Sequence, residues 1–122
     1  MTITVYALSV DCADAEKLAG FWSAALGRPV RSGATAGSAA VEASPADGGG
    51  APGPVMLFHQ VPESKTVKNR WHLDLVTTDT EAETRRLLGL GATVLRVFEE
   101  NGRHRWTTFA DPEGNEFDLV SG

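Results

Sequence analysis

The sequence has little of several things, and each shortage excludes something. A single cysteine, Cys12, in 122 residues cannot close an internal disulfide, so a reducing, cytoplasmic setting is expected. No apolar run approaches the roughly 20 residues that a membrane-spanning helix needs. The opening MTITVYALSV has neither the basic start nor the small-residue cleavage pattern of a secretory leader, so no membrane partner is expected. Positive charge is also short, with 11 Lys and Arg against 16 Asp and Glu and a net charge of −5. That balance argues against nucleic acid, because phosphate binding rests on a surplus of cations. There is no Ser–His–Asp arrangement, no glycine loop that would cradle a phosphate and no paired-carboxylate hydrolase signature. Cys12 has no His or Asp nearby in the pattern of a nucleophile. What remains is 42% hydrophobic and 22% charged, the composition of a soluble globular protein. The length allows one compact domain, whose partner is a small molecule or another protein.

Residues 3–12 are apolar and β-branched enough for a strand. In the following ADAEKLAGFWSAALGRP, Leu18, Phe21, Trp22, Ala25 and Leu26 carry the spacing of a helix with one buried stripe. Asp14 suits its N-cap, Gly27 a left-handed C-terminal position, and Pro29 bars continuation. Residues 31–54 are rich in Gly, Ala, Ser and Pro; ADGGGAPGP reads as a flexible loop and residues 39–43 as a short strand. PVMLFHQV, residues 54–61, is a buried strand. NRWHLDLVTTD, residues 69–79, alternates, which places Trp71, Leu73 and Leu75 on one face and His72 with Asp74 on the other. A helix follows in DTEAETRRLLGLG, with Thr80 and Glu83 spaced as a capping box and Gly91 ending it. ATVLRVFEE and RHRWTTFAD flank the turn residues Asn101 and Gly102. DPEG forms a type I turn, and NEFDLV is the last strand.

Both halves therefore run strand, helix, several strands. Sliding the chain by the 65 positions that separate Leu8 from Leu73 also brings Asp14 onto Asp79 and Glu16 onto Glu81. The identities are few, and the order of elements carries the repeat: two βαβββ units.

With VPESKTVKNRWHLDL, LLGLGATVLR, FADPEGNEFDLV and DAEKLAGFWSAALG on the page, the chain resembles the vicinal oxygen chelate superfamily, and within it the glyoxalase-like domains grouped with bleomycin resistance proteins. The resemblance implies an α+β fold. Two tandem βαβββ modules, residues 1–62 and 69–122 of a single domain, form an incompletely closed eight-stranded barrel-like cup with the helices outside. Trp71, Leu73 and Leu75 would pack beneath a helix, while His72 and Asp74 would face the cup.

Metal-using relatives place four ligands on the first and last strands of each module. Here the resemblance puts His72 at one ligand position and Asp118 at another, where Glu is usual; Ala7, opposite His72, has no donor atom. His59 can serve if its face turns inward, a register that the sequence leaves open. His59, His72 and Asp118 together would suit zinc or iron(II), with nickel and manganese also in range. Against this stands the reading that His72 merely pairs with Asp74, Asp118 or a ligand. The cavity candidates are thus His59, His72, Asp74, Asp118, Trp106 as a stacking surface, and Phe58, with Met56 beside it, as apolar wall. Lys65, Lys68 and Arg70, like Arg103, His104 and Arg105, are read as solvated surface.

The expected function is small-molecule binding of the drug-binding or resistance kind, without a complete metal site and with no cofactor. The alternative is a metal-dependent lyase, isomerase or dioxygenase acting on a small oxygenated substrate. A third reading is a dimerising domain with a vestigial cup. A homodimer is expected in any of these cases, since an open sheet edge needs covering.

Overall fold

A computed structural model describes residues 2–45, 47–48 and 52–122. Of the expected glycine-rich loop, positions 46 and 49–51 lie outside these. The chain divides into two compact units, Met1–Ser64 and Lys65–Gly122. The first contains β1 (Ala7–Cys12), α1 (Ala15–Leu26), β2 (Ser38–Val41) and β3 (Val55–Gln60); the second contains β4 (Asp74–Thr77), α2 (Thr80–Leu90), β5 (Thr93–Glu100), β6 (Arg103–Ala110) and β7 (Glu116–Ser121). No helix among the described residues is long and apolar enough to cross a membrane.

The two sheets follow one plan. In the first the order is β1-β3-β2, with β1 parallel and β2 antiparallel to β3. In the second it is β4-β7-β6-β5, with β4 parallel to β7 and the rest antiparallel. The fold is α+β with open sheets, and among the described residues there are seven strands where eight were expected. In the first unit a single bridge, Val30 to Val41, stands where the second unit has the eight-residue β5. Small residues and prolines around that bridge supply too little β-branched surface to extend it.

The helices begin and end for local reasons. Asp14 caps α1 by accepting from the Lys17 amide at 3.1 Å, and Gly27 closes it at φ 68°. α1 packs on its own sheet and buries Leu18, Phe21 and Trp22, the middle of the apolar stripe. Asp79, not Thr80, caps α2, accepting from the Ala82 amide at 3.1 Å. The expected capping box does not form: Glu83 turns to Arg86 at 2.6 Å, and the Thr80 hydroxyl bonds to Ser121. The shorter Asp side chain one residue earlier already satisfies the free amide. Asn101 and Gly102 both adopt positive φ, 55° and 74°, and close the β5–β6 hairpin.

Two expected strands start late. β1 begins at Ala7 because its partner β3 offers no ladder before Val55. β4 begins at Asp74, and the last bond from its neighbour is Asp118 N–H to the Leu73 carbonyl at 2.9 Å. Trp71 therefore lies beyond the sheet and is 87% exposed, where burial beneath a helix was expected. The second unit's core is instead Leu87, Phe109, Phe117 and Leu119, with the Phe109 and Phe117 rings stacked at 5.3 Å.

Candidate functional site

β4 and β7 run parallel with Asp74 directly opposite Asp118. Residues opposed in this way project from the same face, and two like charges so placed repel. Two neighbours offset that repulsion. Thr108, opposite Asp118 on β6, donates its hydroxyl to Asp118 Oδ1 at 2.7 Å. His72, two residues before Asp74 and so on the same side of the chain, brings Nδ1 to 3.1 Å from Asp74 Oδ1 and 3.9 Å from Asp118 Oδ2. The pairing of His72 with Asp74 and Asp118 expected from the sequence is thus present as geometry. The side chains grade from open to covered, with Asp74 63%, His72 39% and Asp118 17% exposed.

A metal ion is one cation this arrangement attracts. Ligand atoms of His72, Asp74 and Asp118 all lie within 4.8 Å of one another. Donors around one ion bound at about 2.0–2.2 Å stand roughly 3 Å apart, so His72 and Asp74 are already at that spacing and Asp118 is slightly wide. One imidazole and two carboxylates form a mixed N/O set that divalent transition metals accept. The residues fit a metal.

Strand register extends this face across the whole second sheet. Asp74, Asp118, Thr108 and Arg96 oppose one another strand by strand, forming a polar row. Beside it, Val76, Val120, Trp106 and Phe98 form an apolar row. The Trp106 and Phe98 rings stack at 4.2 Å and 14°. Trp106 and Phe98 thus stand on the face that carries the acids, with one flat side of each ring turned against the other.

His59 and Phe58 belong to the first unit. Phe58 is 0% exposed and fills that unit's core, so it offers a ligand no wall. His59 is exposed and opposes Asp11 and Ser38, which settles its register: it shares a face with Ala7, Ser9 and Leu57. The His72 cluster takes all three of its donors from the second unit, with Asp74 supplying the third that had been sought in His59.

Several contributing residues were read as solvated surface or not singled out at all. Lys65 pairs with Glu116 at 3.2 Å, and Glu116 also accepts from the Asn69 amide at 3.2 Å, which anchors the segment leading into His72. Burial pushes the Glu116 carboxyl up, but hydrogen bonds from its own backbone amide and that of Asn69, together with Lys65, hold it below the ordinary carboxylate value. His104, also assigned to solvent, bonds the Ser121 hydroxyl at 2.5 Å and the Thr107 hydroxyl at 2.7 Å. Thr108 and Arg96 gave no motif; only strand register brings them to the acids.

Comparison with known proteins agrees with this fold. The model of the glyoxalase-like domain family matches residues 7–120. No curated protein matches the chain. Among solved structures, the fosfomycin resistance protein FosX of Listeria monocytogenes is 15% identical with a TM-score of 0.74, over 100% of this chain and 93% of that one. A mutant of that protein, complexed with Mn(II) and dihydroxypropylphosphonic acid, is 16% identical with a TM-score of 0.71, over 100% and 91%. A glyoxalase-related enzyme from Fulvimarina pelagi is 16% identical with a TM-score of 0.69, over 98% and 88%. By its repeated unit, its strand order and the family match across nearly its whole length, this chain belongs to the glyoxalase-like domain family of the vicinal oxygen chelate superfamily.

Proposed function

We propose that this protein binds a small oxygenated molecule on the second unit's sheet face, as drug-binding and resistance proteins of the superfamily do. One observation carries the reading: a polar cluster of His72, Asp74 and Asp118 shares a face with the stacked Trp106–Phe98 pair. Flat apolar surface contributes binding energy, and a few placed polar groups fix orientation, the usual division of labour in a ligand site. The cluster acts by accepting hydrogen bonds from hydroxyl or amide groups of the ligand and, through an imidazole N–H of His72, by donating one. Ala7 leaves the first unit without a donor at the position related to His72, which favours binding without a metal.

A second reading is favoured by the close approach of three donor atoms from one unit. In it, His72, Asp74 and Asp118 hold a divalent ion, and the protein is a metal-dependent lyase, isomerase or dioxygenase. A bound metal would polarise adjacent substrate oxygens; the chain's part is to hold three donors on one rigid sheet face.

Metal analysis of protein purified without an affinity tag separates the two. The first reading expects far less than one metal per chain, together with thermal stabilisation by planar oxygenated ligands that Asp118→Ala abolishes. Near-stoichiometric zinc, iron, nickel or manganese, lost in His72→Ala, establishes the second. Failure of every planar oxygenated ligand to stabilise the metal-free protein overturns the first.

A further inference from the structure

The polar row that begins at Asp74 ends at Arg96, and the two ends carry opposite charge. Strands lie about 4.8 Å apart, so Arg96 on β5 is roughly 10 Å along the sheet from Asp118 on β7. Glu116, on the same strand and side as Asp118, adds a third carboxylate to the acidic end. Arg96 is exposed. Arg31, Arg85, Arg86 and Arg105 each pair with a carboxylate, whereas Arg96, like Arg28, Arg70 and Arg103, has no ion-pair partner among the described residues. Its neighbour along the strand on this face is Phe98, stacked on Trp106. An unpaired guanidinium beside a flat aromatic surface, facing acids two strands away, sorts a ligand by charge as well as by shape.

Resting on the binding role proposed above, we propose that Arg96 receives an anionic oxygen group of the ligand, which is therefore a small planar acid. Its carboxylate or comparable oxyanion lies at the β5 side, its rings rest against the exposed side of the Trp106–Phe98 stack, and its neutral hydroxyl or carbonyl end reaches Thr108 and Asp118. The reverse orientation would set an anion against Asp74, Asp118 and Glu116 and is disfavoured by like charge. A guanidinium suits this role because its planar fork can meet both oxygens of a carboxylate at once.

The test uses a matched pair of probes, 6-hydroxynaphthalene-2-carboxylate and its primary amide, titrated calorimetrically into the full chain. The wild type is expected to bind the acid about tenfold tighter than the amide, a ratio that corresponds to ~1.4 kcal/mol. Arg96→Gln is expected to remove that preference by weakening the acid far more than the amide, and Arg96→Lys to keep part of it. In the wild type, added salt should weaken the acid and spare the amide, a reading that needs no variant to fold. Equal binding of acid and amide by the wild type, with both lost in Asp118→Ala, overturns the role of Arg96 and leaves the binding face standing. Equal loss of both probes in Arg96→Gln also overturns it. Binding of neither probe overturns the inference, while the binding role stands or falls by the wider set of planar oxygenated ligands.

Discussion

The two units share a plan and differ in what they place on it. Where β4 and β7 oppose Asp74 and Asp118, β1 and β3 oppose Ser9 and Leu57. The position related to His72 is Ala7. Where the second sheet ends in an eight-residue strand, all of it exposed, the first ends in one bridge. The first unit thus pairs small and apolar residues where the second pairs acids. A duplicated scaffold does not need both copies to carry chemistry. One copy can keep the fold's stability while the other accepts mutual repulsion between acids, a cost that Thr108 and His72 offset in part and a bound cation or ligand offsets further.

That division can be broken experimentally, beginning with its largest consequence. Phe58→Ala removes a completely buried ring from the first unit and is expected to cost about 3–5 kcal/mol of stability. Chemical denaturation measures this, and a loss under about 1 kcal/mol would mean that the first unit's core is not what holds it. Asp74→Asn is expected to behave in the opposite way. Without ligand it relieves the repulsion from Asp118, so the melting temperature should stay level or rise. The stabilisation conferred by a divalent cation or planar ligand should weaken by about tenfold in affinity. A drop in melting temperature without ligand would show that Asp74 serves the fold instead. The helix caps supply an even-handed control: Asp14→Ala and Asp79→Ala remove equivalent bonds, one in each unit. Each should cost about 1 kcal/mol, and a gross inequality between them would undo the equivalence of the two halves.

Much of this was readable in the sequence because local physics wrote it there. Asp14, Gly27, Gly91 and the Asn101–Gly102 turn act through bonds and dihedral angles within a few residues, and all appear where the pattern put them. Alternation likewise put His72 beside Asp74, since period two needs no knowledge of the partner strand. The failures share a cause. Trp71 continues the alternation but not the ladder, which begins only at Asp74 opposite Asp118 although β7 itself runs from Glu116. Phe58 reads as cavity wall only while its environment is unknown. Thr108 meets Asp118 through the unbroken register of β6 with β7, but Arg96 joins the row through a β5–β6 register with a bulge between Val94 and Arg96, and one extra residue reverses which side chains face the acids. No periodicity within β5 alone reports that reversal.

The smallest effect concerns the bridge that, among the described residues, stands where the first unit's edge strand was expected. Around the Val30–Val41 bridge, the Arg31 amide bonds to Ala40 at 2.8 Å and the Glu42 amide to Pro29 at 2.9 Å. The side chains of the same two residues close over it, with Arg31 Nε and Nη2 at 3.2 and 2.7 Å from Glu42 Oε1. The hydrogen bond from Arg31 lowers the Glu42 carboxyl below its ordinary value of 4.5. A carboxylate depressed on folding adds stability above its unfolded value and loses it as pH falls through the folded one. The pair therefore helps hold the bridge near neutrality and releases it in acid, below about 4.5. Both side chains are open to water, so screening keeps the effect local and global unfolding is the wrong measurement. Amide hydrogen exchange at Arg31 and Glu42 is the right one. Protection at these two sites should fall on acidification in the wild type, while in Glu42→Gln it should be lower at neutral pH and insensitive to acid. Identical protection in both proteins throughout would mean that backbone bonds alone hold this edge, and that the first unit's one bridge needs no help from charge.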